Sequence, residues 1–172
     1  MTRRGAAFRS GFAGLVGRPS VGKSTIMNYL VNQHVAITSD KPQTTRQRLR
    51  GIVTRPDAQI VFIDCPGWHR PQHTLGRYMA EEAKAACREA DVLLAVIDAE
   101  RGVGAEDQRI LETALRERSP GASRPLLALN KIDLVHQPRL LPLLNACDAL
   151  HLFDELIPVS AKTGQGMGLL LE

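Results

Sequence analysis

Short apolar runs alternate along the chain with longer stretches in which apolar residues recur at helical spacing. The runs predict strands at residues 11–16, 47–54, 59–64, 92–98, 125–130 and 156–160. The longer stretches predict helices at 24–32, 74–89, 105–118 and roughly 139–150. Because most of these strands are apolar on both faces, the pattern indicates an α/β fold in which helices cover a mostly parallel six-stranded sheet.

The two ends of the chain differ from this alternating pattern. Residues 1–10 predict a loose basic tail, and residues 11–172 predict one domain. An apolar helical pattern starts at Gly168 and stops with the chain at Glu172, so we expect a last helix that is cut short.

The composition is that of an ordinary globular domain, with 44% hydrophobic and 23% charged residues. Arg9 and Arg18 interrupt any signal-like region, and no apolar run is long enough to span a bilayer. Cys65, Cys87 and Cys147 are widely spaced, which predicts reduced thiols in a cytoplasmic protein. The net charge of +4 is compatible with an RNA-associated protein or with solubility alone.

A phosphate-binding motif, GxxxxGK[ST], lies directly between the first strand and the first helix. It consists of Gly17, Arg18, Pro19, Ser20, Val21, Gly22, Lys23 and Ser24, with Thr25 next to it. Backbone N–H groups and the helix N-terminus of such a loop bind phosphates. We expect Lys23 to contact the β- and γ-phosphates and the Ser24 hydroxyl to bind Mg²⁺. A glycine-rich turn without a ligand is the alternative, which the spacing and context disfavour.

A DxxG motif, Asp64 to Gly67, ends the third predicted strand. A carboxylate at this place can hold Mg²⁺ through water, and the Gly67 N–H can contact the γ-phosphate. The motif is weak alone but gains weight from its position after a strand and downstream of the phosphate loop.

Two later motifs predict a guanine site. Asn130, Lys131 and Asp133 follow the fifth strand, and Ser160, Ala161 and Lys162 follow the last. Asp133 can accept hydrogen bonds from guanine N1–H and the 2-amino group, which adenine does not offer in that pattern. We expect Asn130 to tie this loop to the phosphate loop, Lys131 to lie along the base, and the Ala161 N–H to meet guanine O6. Asp133 argues against an ATPase.

These four motifs, in this order, resemble those of the Ras-like GTPase superfamily. Three segments, residues 39–46, 64–69 and 75–79, are similar to the Era family, with Der- and MnmE-like GTPases as near relatives. The resemblance covers residues 11–166. It implies a three-layer Ras-like P-loop GTPase domain that binds GTP and GDP with Mg²⁺ and hydrolyses GTP as a switch. A GTP-binding sensor with little hydrolysis is the alternative.

The resemblance also implies roles for particular residues. The family places an effector threonine before the second strand, for which we choose Thr45 over Thr44. Lys23, Thr45 and Gly67 are then the catalytic residues, and Ser24, Thr45 and Asp64 are the Mg²⁺ ligands.

The implied partners are 16S rRNA and the 30S ribosomal subunit, in the assembly of that subunit. The family contacts them mainly through a C-terminal KH domain, and this sequence contains no KH-like segment that carries a GxxG loop. The resemblance also allows peripheral association with a membrane.

Three positions depart from the usual pattern of related GTPases. Ser20 replaces an Asn that helps to hold K⁺ in related GTPases, which puts potassium activation in doubt. Trp68 stands where Ras-like enzymes have a water-orienting Gln. We expect its indole to be a mobile reporter of the nucleotide state, the alternative being a Trp packed permanently on the next helix. Cys65 is expected to be a small filler residue rather than a reactive thiol.

Arg46, Arg48 and Arg50 alternate on one predicted strand and so point to one face. They could contact RNA, but we favour a charged edge strand that resists aggregation.

Overall fold

The computed structural model describes residues 8–38, 45, 47–68, 74–118 and 121–172. Within these residues, six strands form one sheet with the order β2-β3-β1-β4-β5-β6. The strands are β1 Arg9–Val16, β2 Leu49–Thr54, β3 Ala58–Asp64, β4 Val92–Asp98, β5 Leu126–Asn130 and β6 Glu155–Pro158. The β2–β3 pair is antiparallel and the other pairs are parallel. The predicted mostly parallel, six-stranded α/β sheet is therefore confirmed.

Four α-helices connect the strands: α1 Lys23–Val31, α2 Thr74–Glu89, α3 Ala105–Arg116 and α4 Gln137–Asp148. Two short 3₁₀ helices cover Ile132–Leu134 and Met167–Leu171. Side chains from α2, α3 and α4 pack on one face of the sheet, and those from α1 and Met167 pack on the other. The central positions Leu15, Ile63 and Leu127 are fully buried. This is the predicted three-layer arrangement.

The ends of the chain differ from the expectation. β1 begins at Arg9, inside the stretch predicted as a tail, because Arg9 and Ser10 pair in register with Ala58 and Gln59 of β3. The apolar pattern near Glu172 forms a 3₁₀ helix rather than an α-helix. Residues 1–7 lie outside the described part of the chain.

Most other predicted boundaries of strands and helices agree with the observed ones within two or three residues, and those of α2 and β4 agree in full. Among the described residues, no helix combines the length and apolar character needed to cross a bilayer.

Candidate functional site

A cleft of about 470 Å³ opens where the carboxyl ends of the parallel strands meet, as expected for this kind of sheet. Thirteen of the residues that line it belong to the predicted motifs: Pro19, Ser20, Gly22, Lys23, Ser24, Thr25, Thr45, Gly67, Asn130, Lys131, Asp133, Ala161 and Lys162. Ile37, Thr38 and Leu134 also line it and were not predicted. The motifs, distant in sequence, thus share one cavity.

Lys23 lies against the loop that precedes it. Its ammonium donates hydrogen bonds to the carbonyls of Gly17 at 3.1 Å and Arg18 at 2.8 Å. Burial lowers the pKa of Lys23, while the nearby Asp64 and Cys65 act to raise it. The loop therefore positions a buried cation at the N-terminal end of α1, where the free backbone N–H groups also favour an anion.

Five of the predicted nucleotide-binding residues do not line the cleft: Asp64, Ser160 and three members of the phosphate-binding motif, Gly17, Arg18 and Val21. The Arg18 Nε donates to Asp107 Oδ1 at 2.8 Å, and Asp107 Oδ2 accepts the Gly104 N–H at the start of α3. Val21 is buried in the core, and Gly17 has no side chain. Arg18, Val21 and Gly17 can therefore serve a ligand only through the backbone of the loop, whose position the partly buried Arg18–Asp107 pair helps to fix.

The three predicted Mg²⁺ ligands converge on one point. The Ser24 hydroxyl donates to Asp64 Oδ2 at 2.5 Å, and Thr45 Oγ1 lies 3.1 Å from Ser24 Oγ and 3.4 Å from Asp64 Oδ2. Asp64 is fully buried, and its Oδ1 has no hydrogen-bond partner among the described residues. Burial raises the pKa of Asp64, against the opposing effects of the Lys23 charge and the two hydroxyls.

This donor set fits Mg²⁺. Hydroxyl and carboxylate oxygens are the ligands that Mg²⁺ prefers, and it usually takes one or two carboxylates together with substrate phosphates. The unpartnered Asp64 Oδ1 supplies an acceptor for a metal-bound water. In the described part of the chain, no cluster of three or more His, Cys, Asp or Glu offers a different kind of metal centre. Thr44, the second choice of effector residue, lies outside the described residues.

The DxxG loop packs directly on the phosphate loop. A Cβ added to Gly67 would lie 2.6 Å from the Pro19 nitrogen, and the Trp68 N–H donates to the Gly17 carbonyl at 3.3 Å. Because no side chain fits at position 67, glycine there permits the two loops to touch.

The Trp68 indole is buried in the core on the α2 side of the sheet, with 9% of its surface exposed. The expectation that the indole lies outside the core is therefore wrong for this structure, while its movement with the nucleotide state stays a prediction. That expectation rested on the polar segment 69–73, which lies outside the described residues and does not dictate where the preceding ring packs. Its Nε1–H has no hydrogen-bond partner among the described residues.

Cys65 is a buried filler, as predicted. Its thiol contacts the Leu15 carbonyl at 3.2 Å, and burial raises its pKa well above the ordinary value. A protonated, inaccessible thiol is not a nucleophile.

Asn130 connects the two ends of the cleft. Its Nδ2 donates to the Val21 carbonyl at 2.9 Å, which is the predicted tie to the phosphate loop. Its Oδ1 accepts the Ala161 N–H at 3.0 Å. We predicted guanine O6 as the partner of that N–H, but in this structure Asn130 accepts it instead.

Asp133 is exposed to the cleft, and a hydrogen bond from a buried hydroxyl group fixes the orientation of its carboxylate. Ser160, fully buried, donates to Asp133 Oδ1 at 2.6 Å and accepts the Thr163 N–H at 3.1 Å. The carboxylate of Asp133 is therefore held in place with acceptor capacity left for a ligand.

Lys131, the residue between Asn130 and Ile132, lines the cleft and its side chain extends to the end of β4. Its ammonium donates to Asp98 Oδ2 at 2.7 Å. The sequence analysis missed Asp98 and Asp107, the two buried carboxylates that hold motif cations. A usable signal was present for Asp98, which is an acid at the carboxyl end of an otherwise apolar strand.

The arginines near β2 are engaged within the chain. Arg48 pairs with Glu82 at 2.9 Å and with Glu89 at 3.1 Å, and Arg50 pairs with Glu89 at 2.5 Å. Since both reach Glu89 on α2, they lie on one side, as predicted, and β2 is an edge strand. Arg46 lies outside the described residues. The favoured interpretation, a charged edge strand, agrees with this arrangement.

One cleft on this sheet is shared by the phosphate loop, the DxxG loop and the loop that carries Asn130, Lys131 and Asp133. This combination defines a domain of the P-loop GTPase class. The chain belongs to the 50S ribosome-binding GTPase family, whose sequence model matches residues 12–131. It is 46% identical over 165 residues to the GTPase Era of Syntrophus aciditrophicus and 43% identical over 166 residues to that of Geobacter metallireducens. Each match covers 96% of this chain but 53% and 54% of the relative, so the chain spans about half the length of the curated relatives it matches.

Two solved structures of Era are similar in fold. One is Era in complex with MgGDPNP and nucleotides 1506–1542 of 16S ribosomal RNA, with a TM-score of 0.89 and 36% identity over 95% of this chain and 55% of that one. The other is an Aquifex aeolicus Era variant bound to GDP and AlF₄⁻, with a TM-score of 0.87 and 36% identity over 94% of this chain and 55% of that one. The resemblance to Era stated from the motifs is confirmed.

Proposed function

We propose that the chain binds GTP and GDP with Mg²⁺ and hydrolyses GTP to GDP and phosphate, as the switch domain of an Era-type GTPase. The observation that supports this is that Lys23, Ser24 and Asp133 line one cleft, with the buried Asp64 bonded to Ser24 beside it. Each has the chemistry of one part of the ligand: the phosphates, the metal and the guanine base.

At the phosphate end, the chain supplies charge and fixed donors. Lys23, held by the two loop carbonyls, is positioned for charge-assisted hydrogen bonds to the phosphates. Ser24, Thr45 and Asp64 would hold Mg²⁺. When bound there, the ion supplies positive charge that offsets the charge developing on the phosphates.

At the base end, Asp133 selects guanine. Its carboxylate accepts from N1–H and the 2-amino group, and Ser160 fixes its orientation. A base without those donors leaves the carboxylate without its partners, which is the kind of mismatch that discriminates most strongly.

Hydrolysis needs a water placed opposite the leaving group. The buried Trp68 cannot orient that water, so the task falls to the Thr45 hydroxyl and to backbone groups near Gly67. After the γ-phosphate leaves, the loops at Thr45 and Gly67 lose a shared partner and relax, which gives a switch. The buried indole also favours the second candidate, a GTP-binding sensor with little hydrolysis.

A single-turnover assay separates these two candidates. The chain is incubated with a substoichiometric amount of GTP, with Mg²⁺ or with a chelator, and GDP is measured over time. We expect GDP to form with Mg²⁺, to be suppressed by the chelator, and excess ATP to compete poorly. Binding without turnover would favour the sensor, and equal competition by ATP would contradict the guanine site.

We extend the proposal to assembly of the small ribosomal subunit in the cytoplasm, because a solved relative is an Era in complex with a segment of 16S rRNA. Within this chain, Arg48 and Arg50 are paired with α2 carboxylates and do not form a row of free cations. We therefore expect this chain to bind that RNA segment weakly, with a shallow salt dependence. Tight binding lost on Arg48→Ala would contradict the edge-strand interpretation.

A further inference from the structure

Asp98 is a buried carboxylate beside the cleft that belongs to none of the four motifs. It ends β4 and is 1% exposed. Its Oδ1 accepts the Glu100 N–H at 3.0 Å, and its Oδ2 accepts the Lys131 ammonium at 2.7 Å. The only other cation that the described residues bring near it is the exposed Arg101, whose Nε lies 3.9 Å away. Lys131 is therefore its principal partner.

We infer that Asp98 is a positioning residue for guanine binding, which acts by fixing the side chain of Lys131 along the base end of the cleft. This inference rests on the proposed function, because it concerns how that same site holds its base.

Two constraints fix the lysine, one at each end of its side chain. At the backbone, Lys131 has φ 68°, in the left-handed region, directly after β5. At the tip, the ammonium is held by Asp98, which pairs with Asn130 in the register of β4 and β5. Lys131, held at both of these points, is one of the residues that line the cleft. A lysine ordered before binding avoids the rotamer entropy that a free one loses on immobilisation.

The ion pair also sets the character of the surface that the base meets. With its ammonium paired to Asp98, Lys131 presents mainly its alkyl stem to the cleft, suited to packing along an aromatic ring. This contact does not depend on the polar edge of the base. Asp98 should therefore influence how tightly a base is held, whereas Asp133 decides which base is chosen.

The test measures dissociation of a fluorescent GDP analogue, with Mg²⁺ present, from wild type, Asp98→Asn, Lys131→Met and the double variant. Asp98→Asn should release the analogue about tenfold faster than wild type, because it loses a charge-assisted hydrogen bond. In the Lys131→Met background the same change should alter the rate by less than about twofold, because its partner is absent. Asp91→Asn is the matched control, since Asp91 precedes β4 at its other end and accepts the Phe12 N–H; its rate should equal that of wild type.

A second readout separates positioning from general damage to the domain. Inorganic tripolyphosphate, which has no base, should compete for the phosphate end equally well in wild type and Asp98→Asn. If Asp98→Asn does not fold, Asp98→Glu replaces it; this variant keeps the charge but displaces the carboxylate and should speed release only where Lys131 is present.

The outcomes are distinct. Equal acceleration in both lysine backgrounds, an unchanged rate in Asp98→Asn, or a parallel loss of tripolyphosphate binding overturns the role of Asp98 while the proposed function stands. A wild-type chain that does not bind the GDP analogue overturns the proposed function, and this inference with it.

Discussion

Asn130 donates a hydrogen bond of 2.9 Å to the carbonyl of Val21, a residue 109 positions earlier in the chain. The bond is buried and joins the loop that carries Asp133 to the loop that carries Lys23. Because the same side chain also accepts the Ala161 N–H, three loops from different parts of the sequence meet on one amide. The two ends of the cleft are therefore held at a fixed separation.

Asp133→Asn should reverse the base preference. The amide keeps an oxygen that can accept from Ser160, but it replaces one acceptor with a donor, which suits the altered edge of xanthine. We expect the affinity for GTP to fall at least about tenfold and that for xanthosine triphosphate to rise. Competition binding measures both, and an unchanged preference for GTP would remove Asp133 from the base site.

Lys23→Ala should abolish tight triphosphate binding while the domain remains folded. The side chain contacts loop carbonyls and lies near Asp64, so its loss removes a charge-assisted contact with phosphate. Thermal unfolding with and without GTP checks this, and GTP should no longer raise the melting temperature. Lys84→Ala is the matched control, since Lys84 pairs with Glu81 on the outer side of α2. A Lys23→Ala variant stabilised by GTP as strongly as wild type would refute the phosphate-loop assignment.

Hydrolysis should depend only weakly on the choice of K⁺ or Na⁺. Ser20, with φ 61°, lines the cleft, but its short side chain has one oxygen and less reach than an Asn. Ser20→Asn should therefore introduce a K⁺ stimulation that wild type lacks, measured as the ratio of turnover rates in the two salts. A large K⁺ stimulation that persists in Ser20→Ala would mean that other groups hold the ion.

Trp68, the single tryptophan of the sequence, should report the nucleotide state. In this structure it is buried, so the folded chain should emit at short wavelength and be poorly quenched by acrylamide. Loss of a γ-phosphate contact at Gly67 releases the adjoining backbone, so the GDP form and a non-hydrolysable GTP form should differ in emission. Trp68→Leu removes the signal and should leave nucleotide affinity intact. Superimposable spectra would mean that the indole stays in the core throughout.

The thiols should be unreactive in the folded chain. Burial raises the pKa of Cys87 to about 12 and that of Cys147 to about 11, so both are protonated at pH 8. A thiol reagent should label the cysteines only after unfolding. Above about pH 9 the thiols of the unfolded chain lose their protons, whereas those of the folded chain keep them. Deprotonation therefore stabilises the unfolded state, and the free energy of unfolding should fall as pH rises from about 9 toward 11. Cys87→Ala should lessen that fall, and rapid labelling at pH 8 would contradict the buried positions.

The sheet and the motif residues could be predicted because the pattern that identifies each of them lies within a short stretch of sequence. An apolar run followed by Gly17 and Lys23, or by Asp64 and Gly67, identifies both a strand and the loop at its carboxyl end. The fold then brings these loops together without further information.

Other features depend on contacts between distant segments, which the local pattern does not contain. The polar stretch after Trp68 suggested exposure, yet the ring packs in the core. The sequence marks Asp98 only as an acid at the end of an apolar strand and does not mark Asp107 at all; strand register and helix packing place them against Lys131 and Arg18. The strand start at Arg9 likewise follows from pairing with Ala58, not from apolar character.

The contact between Gly22 and Asn130 restricts how this sequence can vary over evolution. A Cβ at position 22 would lie 2.2 Å from Asn130 Nδ2, and φ there is +101°, which side chains rarely adopt. Any replacement of Gly22 would therefore strain the backbone and displace the amide that joins the phosphate loop to the base loop. A single inherited change at this glycine would damage two binding motifs at once, and a compensating change at position 130 could relieve the clash but not restore the lost bond to Val21.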